Sequence, residues 1–114
     1  MSVKLTNRKV GDVTVIDAVG RITLGEGAST FRDAVRGLAA SGDKKILLNL
    51  AQVSYIDSSG IGELVSAFTT VTNQGGQLKL LHLTKRIQDL LQITKLYTVF
   101  EVFDDEAHAV RSFA

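Results

Sequence analysis

The chain has 114 residues, 45% of them apolar and 22% charged, and at roughly 100–200 residues per domain this is a single domain long enough to bury a core. It contains no cysteine, which excludes a disulfide framework, thiolate-bound zinc, iron–sulfur clusters and a cysteine nucleophile, and which fits a reducing cytosol. Thirteen Lys and Arg against twelve Asp and Glu leave a net charge of +1, with the cations scattered and no Trp to interleave with them, so nucleic acid is not an expected partner.

The first predicted elements form a hairpin. Val3-Lys4-Leu5-Thr6 and Val13-Thr14-Val15-Ile16-Asp17-Ala18-Val19 are β-branched, partly alternating runs, and Lys9-Val10-Gly11-Asp12 between them suits a tight turn. Gly20, Gly25 and Gly27 then mark a loop. Ala28, Phe31, Val35, Leu38 and Ala39 recur at helical spacing until Gly42 stops the pattern. Lys45-Ile46-Leu47-Leu48-Asn49-Leu50 has the almost continuous apolar character of a central parallel strand buried on both faces.

A second helix follows Asp57-Ser58-Ser59-Gly60, with Ile61, Leu64, Val65, Phe68 and Val71 on one stripe and a stop at Gly75-Gly76. Leu78-Lys79-Leu80-Leu81-His82-Leu83 reads as the next strand, Thr84 as a cap, and Ile87, Leu90 and Leu91 as the buried stripe of a third helix. Val99 to Phe103 is expected to be a last short strand, and Asp104-Asp105-Glu106 to open a terminal helix carrying Ala107, Val110 and Phe113. The order β-β-α-β-α-β-α-β-α predicts an α/β fold. Its mixed sheet of about five strands is mostly parallel with an antiparallel N-terminal edge, and about four helices mostly cover one face. No apolar run approaches the roughly 18 residues of a bilayer span, and the start of the chain lacks the apolar stretch of a signal peptide, so a soluble cytoplasmic protein without membrane insertion is expected.

The most informative segment is Asp57-Ser58-Ser59-Gly60-Ile61-Gly62. Asp or Ser at such a position is the ordinary N-cap and satisfies the free amides of a first helical turn. Capping does not explain Gly60 and Gly62, each of which costs a helix about 0.5–1 kcal/mol relative to Ala. Glycine there leaves bare backbone beside two hydroxyls, which suits the approach of another protein, and close packing on a neighbouring element accounts for it equally well. A phosphate on Ser59 adds about −1.5 to −2 charges at a helix N-terminus, where dipole and amides tolerate anions. The expected effect of that charge falls on docking, with the fold retained.

That segment, placed after the apolar strand Ile46 to Leu50, with Gly20-Arg21-Ile22-Thr23 upstream and the β-β-α-β-α order, resembles a STAS domain of the anti-sigma factor antagonist type over essentially the whole chain. The resemblance implies a non-enzymatic switch. The unphosphorylated antagonist binds an anti-sigma factor serine kinase and the sigma factor is released; the kinase phosphorylates the second Ser of the motif, here Ser59, and a PP2C-type phosphatase restores it. By position in the motif, Asp57 and Ser58 shape the turn, and Gly60, Ile61 and Gly62 join the partner-binding surface. Many relatives carry Asp in the segment corresponding to Ile22-Thr23-Leu24 and near the strand end where this chain has Asn49. That departure keeps open a second reading, a scaffold subunit of a signalling assembly or a soluble component of a membrane lipid or anion transport system.

Other candidates are weaker. The glycines from Gly20 to Gly27 lack the Lys-Ser/Thr pair of a phosphate loop, which argues against a nucleotide-handling enzyme. His82 and His108 have no metal-ligand spacing, and Asp104-Asp105-Glu106 lacks the central Gly of a calcium loop, so neither metal nor cofactor is expected. Position 57 is Asp where a Gly-x-Ser-x-Gly elbow needs Gly, which argues against a serine hydrolase.

Overall fold

In the computed structural model, which describes residues 3–113, the β-branched N-terminal runs pair as an antiparallel hairpin. Strand β1 (Val3–Val10) meets β2 (Val13–Ile22), and Val10 faces Val13 across a tight turn in which Gly11 takes φ 64, a conformation suited to glycine. Helix α1 (Glu26–Ala40) follows, then β3 (Lys45–Ile56), α2 (Ser58–Asn73), β4 (Gln77–Leu81), α3 (Lys85–Ile93), β5 (Val102–Phe103) and α4 (Glu106–Arg111). The sheet order is β1-β2-β3-β4-β5, and every pair after the hairpin is parallel. Thr84 caps α3 by accepting from the Ile87 N–H, and Asp105 caps α4 by accepting from the His108 N–H, as the sequence predicts.

Alternation along the strands sorts the side chains into two layers. Ile16, Ala18, Ile22, Ile46, Leu48, Leu50, Leu78 and Leu80 face one side, where Phe31 and Val35 of α1, Leu64 and Val71 of α2, and Ile87 and Leu91 of α3 close over them. The opposite side carries a smaller cluster of Val13, Val15, Leu47 and Leu81 under Ala109 and Phe113, so α4 alone covers part of the second face. Lys79 alternates onto that second face. It is 5% exposed, and its ammonium donates to the carbonyl and hydroxyl oxygens of Ser112, both at 3.0 Å, while lying over the Phe113 ring.

Several element ends differ from the sequence expectation: β1 takes in Lys9 and Val10, β2 continues through Gly20 to Ile22, and β4 stops at Leu81, short of His82 and Leu83; two further differences have a clear physical cause. Strand β3 runs to Ile56, well past Leu50. Its pairing with β2 shifts register between Asp17 and Val19 and again between Gly20 and Arg21, each time with an extra residue on β3. Those bulges turn Leu50, Val53 and Ile56 to the same core at a spacing no regular strand shows. At the other end, Val99 lies in a turn and only Val102–Phe103 forms the strand, because Phe100 is drawn inward against Phe68, ring centroids 5.4 Å apart and edge to face.

Candidate functional site

The turn between β3 and α2 is built on Asp57. Its backbone is extended, its carbonyl accepts the first helical bond from the Ile61 N–H at 2.9 Å, and its N–H reaches the Ile22 carbonyl at 3.4 Å. One carboxylate oxygen accepts from the Gly60 N–H at 2.9 Å and caps the helix; the other accepts from the Leu24 N–H at 3.0 Å in the loop after β2. A single side chain thus ties the loop before α1 to the start of α2. Partial desolvation opposes ionisation of Asp57, but the N–H groups of Leu24, Gly60 and Ser59 together outweigh it and hold the carboxyl below the usual carboxylate range.

The motif residues divide by direction. Ser58 is exposed, Ser59 is half-buried, and neither hydroxyl is engaged by a side-chain hydrogen bond among the described residues. Gly62 is exposed, with nothing within 4 Å of the place a Cβ would occupy. Gly60 and Ile61 face inward instead. A Cβ at Gly60 would lie 2.6 Å from Ile56 Cγ1 and closer still to the Ile22 carbonyl oxygen, so this glycine serves close packing of α2 on the strand ends. Ile61 is 4% exposed and belongs to the core. Whatever surface the turn presents therefore comes from Ser58, Ser59 and Gly62, with Gly60 and Ile61 beneath it.

Neighbours that the sequence did not single out complete the surroundings. Leu24, whose N–H is bound by Asp57, leaves its side chain 79% exposed beside the turn. Arg32 of α1 and Glu63 of α2 form an ion pair at 3.0 Å across the two helices. Gly25 is the N-cap of α1, at φ 97. Gly27, read from the sequence as part of a loop, lies inside the first turn of α1, where a Cβ would meet the Arg21 carbonyl at 2.6 Å. Gly25 and Gly27 are thus accounted for by helix entry and packing. A shallow groove of about 640 Å³ opens between His82, Thr84, Gln88 and Phe103, and no motif residue lines it. Among the described residues, no group of three or more His, Asp or Glu is gathered as metal ligands, and no helix is long and apolar enough to cross a membrane.

A five-stranded mixed sheet with a helix mouth held open by one carboxylate defines a small α/β module whose distinctive surface is a turn. The chain belongs to the STAS domain family, whose sequence pattern matches residues 4–109. The anti-sigma-B factor antagonist of Bacillus subtilis is 40% identical over 76 residues, covering 66% of this chain and 68% of that protein. Among solved structures, an anti-sigma factor antagonist from Mycobacterium paratuberculosis superposes with a TM-score of 0.85 at 14% identity, covering 98% of this chain and 94% of that one. The Bacillus cell fate determinant SpoIIAA in its phosphorylated form superposes with a TM-score of 0.76 at 18% identity, covering 97% of this chain and 100% of that one.

Proposed function

We propose that this chain is an anti-sigma factor antagonist that acts as a protein-binding switch at Ser59. Unphosphorylated, it binds an anti-sigma factor serine kinase, and the sigma factor is released. Phosphorylation of Ser59 by that kinase ends the binding, and a PP2C-type phosphatase resets the chain. The observation that carries this reading is the half-buried Ser59 hydroxyl on a helix mouth whose cap is satisfied wholly by main-chain N–H groups.

Charge explains why such a turn can switch without refolding. A phosphate there brings about −1.5 to −2 charges to the positive end of α2, which stabilises it, while Asp57 two residues away repels it. The cap contacts are unaffected, because they involve neither hydroxyl. A partner closing over the turn must instead desolvate the new charge, so the cost falls on the interface. The names of the relatives support an antagonist role, and the Asp-Ser-Ser-Gly segment supports the acceptor.

Incubating the purified chain with the anti-sigma factor kinase of its own organism and ATP, and reading the intact mass, tests the proposal. The wild type gains one phosphate and its complex with the kinase weakens, whereas Ser59→Ala gains none. No gain in the wild type, or the same gain in Ser59→Ala, overturns it.

A further inference from the structure

The end of β3 carries a second feature of the same edge of the sheet. Tyr55 stands two residues before Asp57, opposite Arg21 of β2 in the parallel register. The Arg21 guanidinium carbon lies 5.1 Å from the centre of the Tyr55 ring, and that of Arg86, in the first turn of α3, lies 3.9 Å from it. Both arginines are exposed, and among the described residues neither forms an ion pair. The acids closest in sequence to the stack are otherwise engaged: Asp57, two residues after Tyr55, by main-chain N–H groups, and Asp89, three residues after Arg86, by Lys85.

Two unpaired guanidinium groups stacked on one ring are unusual in what they lack. Stacking on an aromatic face orients a guanidinium and restricts its rotamers without using its N–H donors. The donors of Arg21 and Arg86 thus remain free, and their planar forks match carboxylates bidentately. We infer that the Arg21–Tyr55–Arg86 stack is a docking element for an acidic, Asp- or Glu-bearing segment of the protein that engages the Ser59 turn. This rests on the switch reading above and adds the chemistry of the partner's surface. The stack is a cationic counterpart to the turn itself, whose carboxylate is already satisfied by backbone. It also gives the surface a fixed polarity, so that a partner is read by charge on one side of the turn and by close fit on the other.

The test uses the full chain and the purified anti-sigma factor kinase of the same organism, with affinity measured at about 0.05 M and about 0.5 M salt. The double variant Arg21→Glu/Arg86→Glu is expected to weaken the complex at least about tenfold at low salt, with the gap closing at high salt, as screening of a charge contact requires. Its thermal unfolding is expected to match the wild type. Wild-type affinity in the double variant at low salt overturns the inference and leaves the Ser59 reading intact; so does a weakening that persists at high salt. A parallel titration of the chain alone with ATP separates the other source of anions, and ATP binding that disappears in the double variant reassigns the stack to phosphate and overturns the acidic segment. Failure of the wild type to bind the kinase at all removes the Ser59 reading itself, and this inference with it.

Discussion

Two carboxylates of this protein, Asp57 and Asp17, do similar jobs by opposite means. Asp57 spends both oxygens on main-chain N–H groups, those of Gly60 and Leu24. Asp17 is held by side chains: Arg8 Nε at 2.6 Å, Arg8 Nη2 at 3.2 Å and Asn49 Nδ2 at 2.9 Å, while the same Arg8 also binds Glu106 at the start of α4. Main-chain donors bring no bulk of their own, so the Asp57 turn is rigid and still open. Long side chains reach across a gap, so the Asp17 network fastens to the sheet a six-residue helix too short to persist alone. Accessibility and attachment call for different donors, and the two sites show which serves which.

The widest separation within the open turn lies between its two glycines. Gly60→Ala drives a methyl into the Ile22 carbonyl and Ile56, neither of which is the free end of a flexible side chain, and is expected to cost about 3 kcal/mol in urea unfolding. Gly62→Ala meets open space and is expected to gain about 0.5–1 kcal/mol. Equal effects at the two positions would erase the distinction between packed and exposed halves of the motif.

A smaller loss is expected from Asp57→Ala, about 1–2 kcal/mol for the missing cap. Hydrogen exchange sharpens it: the Leu24 and Gly60 amides lose protection together, and protection retained at Leu24 would show that the loop is held by something else. The gentlest test is acidification. Hydrogen bonds from Arg8 lower the Asp17 and Glu106 carboxyls, and main-chain N–H groups, working against desolvation, lower Asp57. Each therefore contributes stability above the ordinary carboxylate range that is lost as the pH falls through that range toward the lowered folded values. Denaturation midpoints should decline over that window. Asp17→Asn should flatten the decline, and added salt should reduce the Asp17 share more than the Asp57 share, because a half-buried ion pair is still partly screened whereas main-chain hydrogen bonds are not.

Much of this architecture is legible in the sequence, and the exceptions share a cause. Capping by Asp57, Thr84 and Asp105 follows from residue type and spacing, and the buried stripes of α1, α2 and α3 follow from their period. Strand β3 is under-read because its bulges replace alternation with the spacing of Leu50, Val53 and Ile56. Gly60 and Gly62 look equivalent in the chain, and only the approach of Ile22 from a distant strand separates them. The ties among Arg8, Asp17, Asn49 and Glu106 join segments up to 98 positions apart, and nothing local marks them. The Tyr55 stack is missed for the same reason, since Arg21 and Arg86 belong to other elements.

The two rims of the sheet are unequal. On one side β5 is only two residues long and offers almost no free backbone for another copy to add to. On the other, the eight-residue β1 pairs on one side alone, with β2, and its outer edge carries the exposed Lys4 and Lys9, while Arg8 is tied to Asp17 and Glu106. Strand addition between copies is thereby discouraged at both rims, by brevity at one and by exposed lysines at the other, so the open ends of the sheet offer a second copy little backbone to extend.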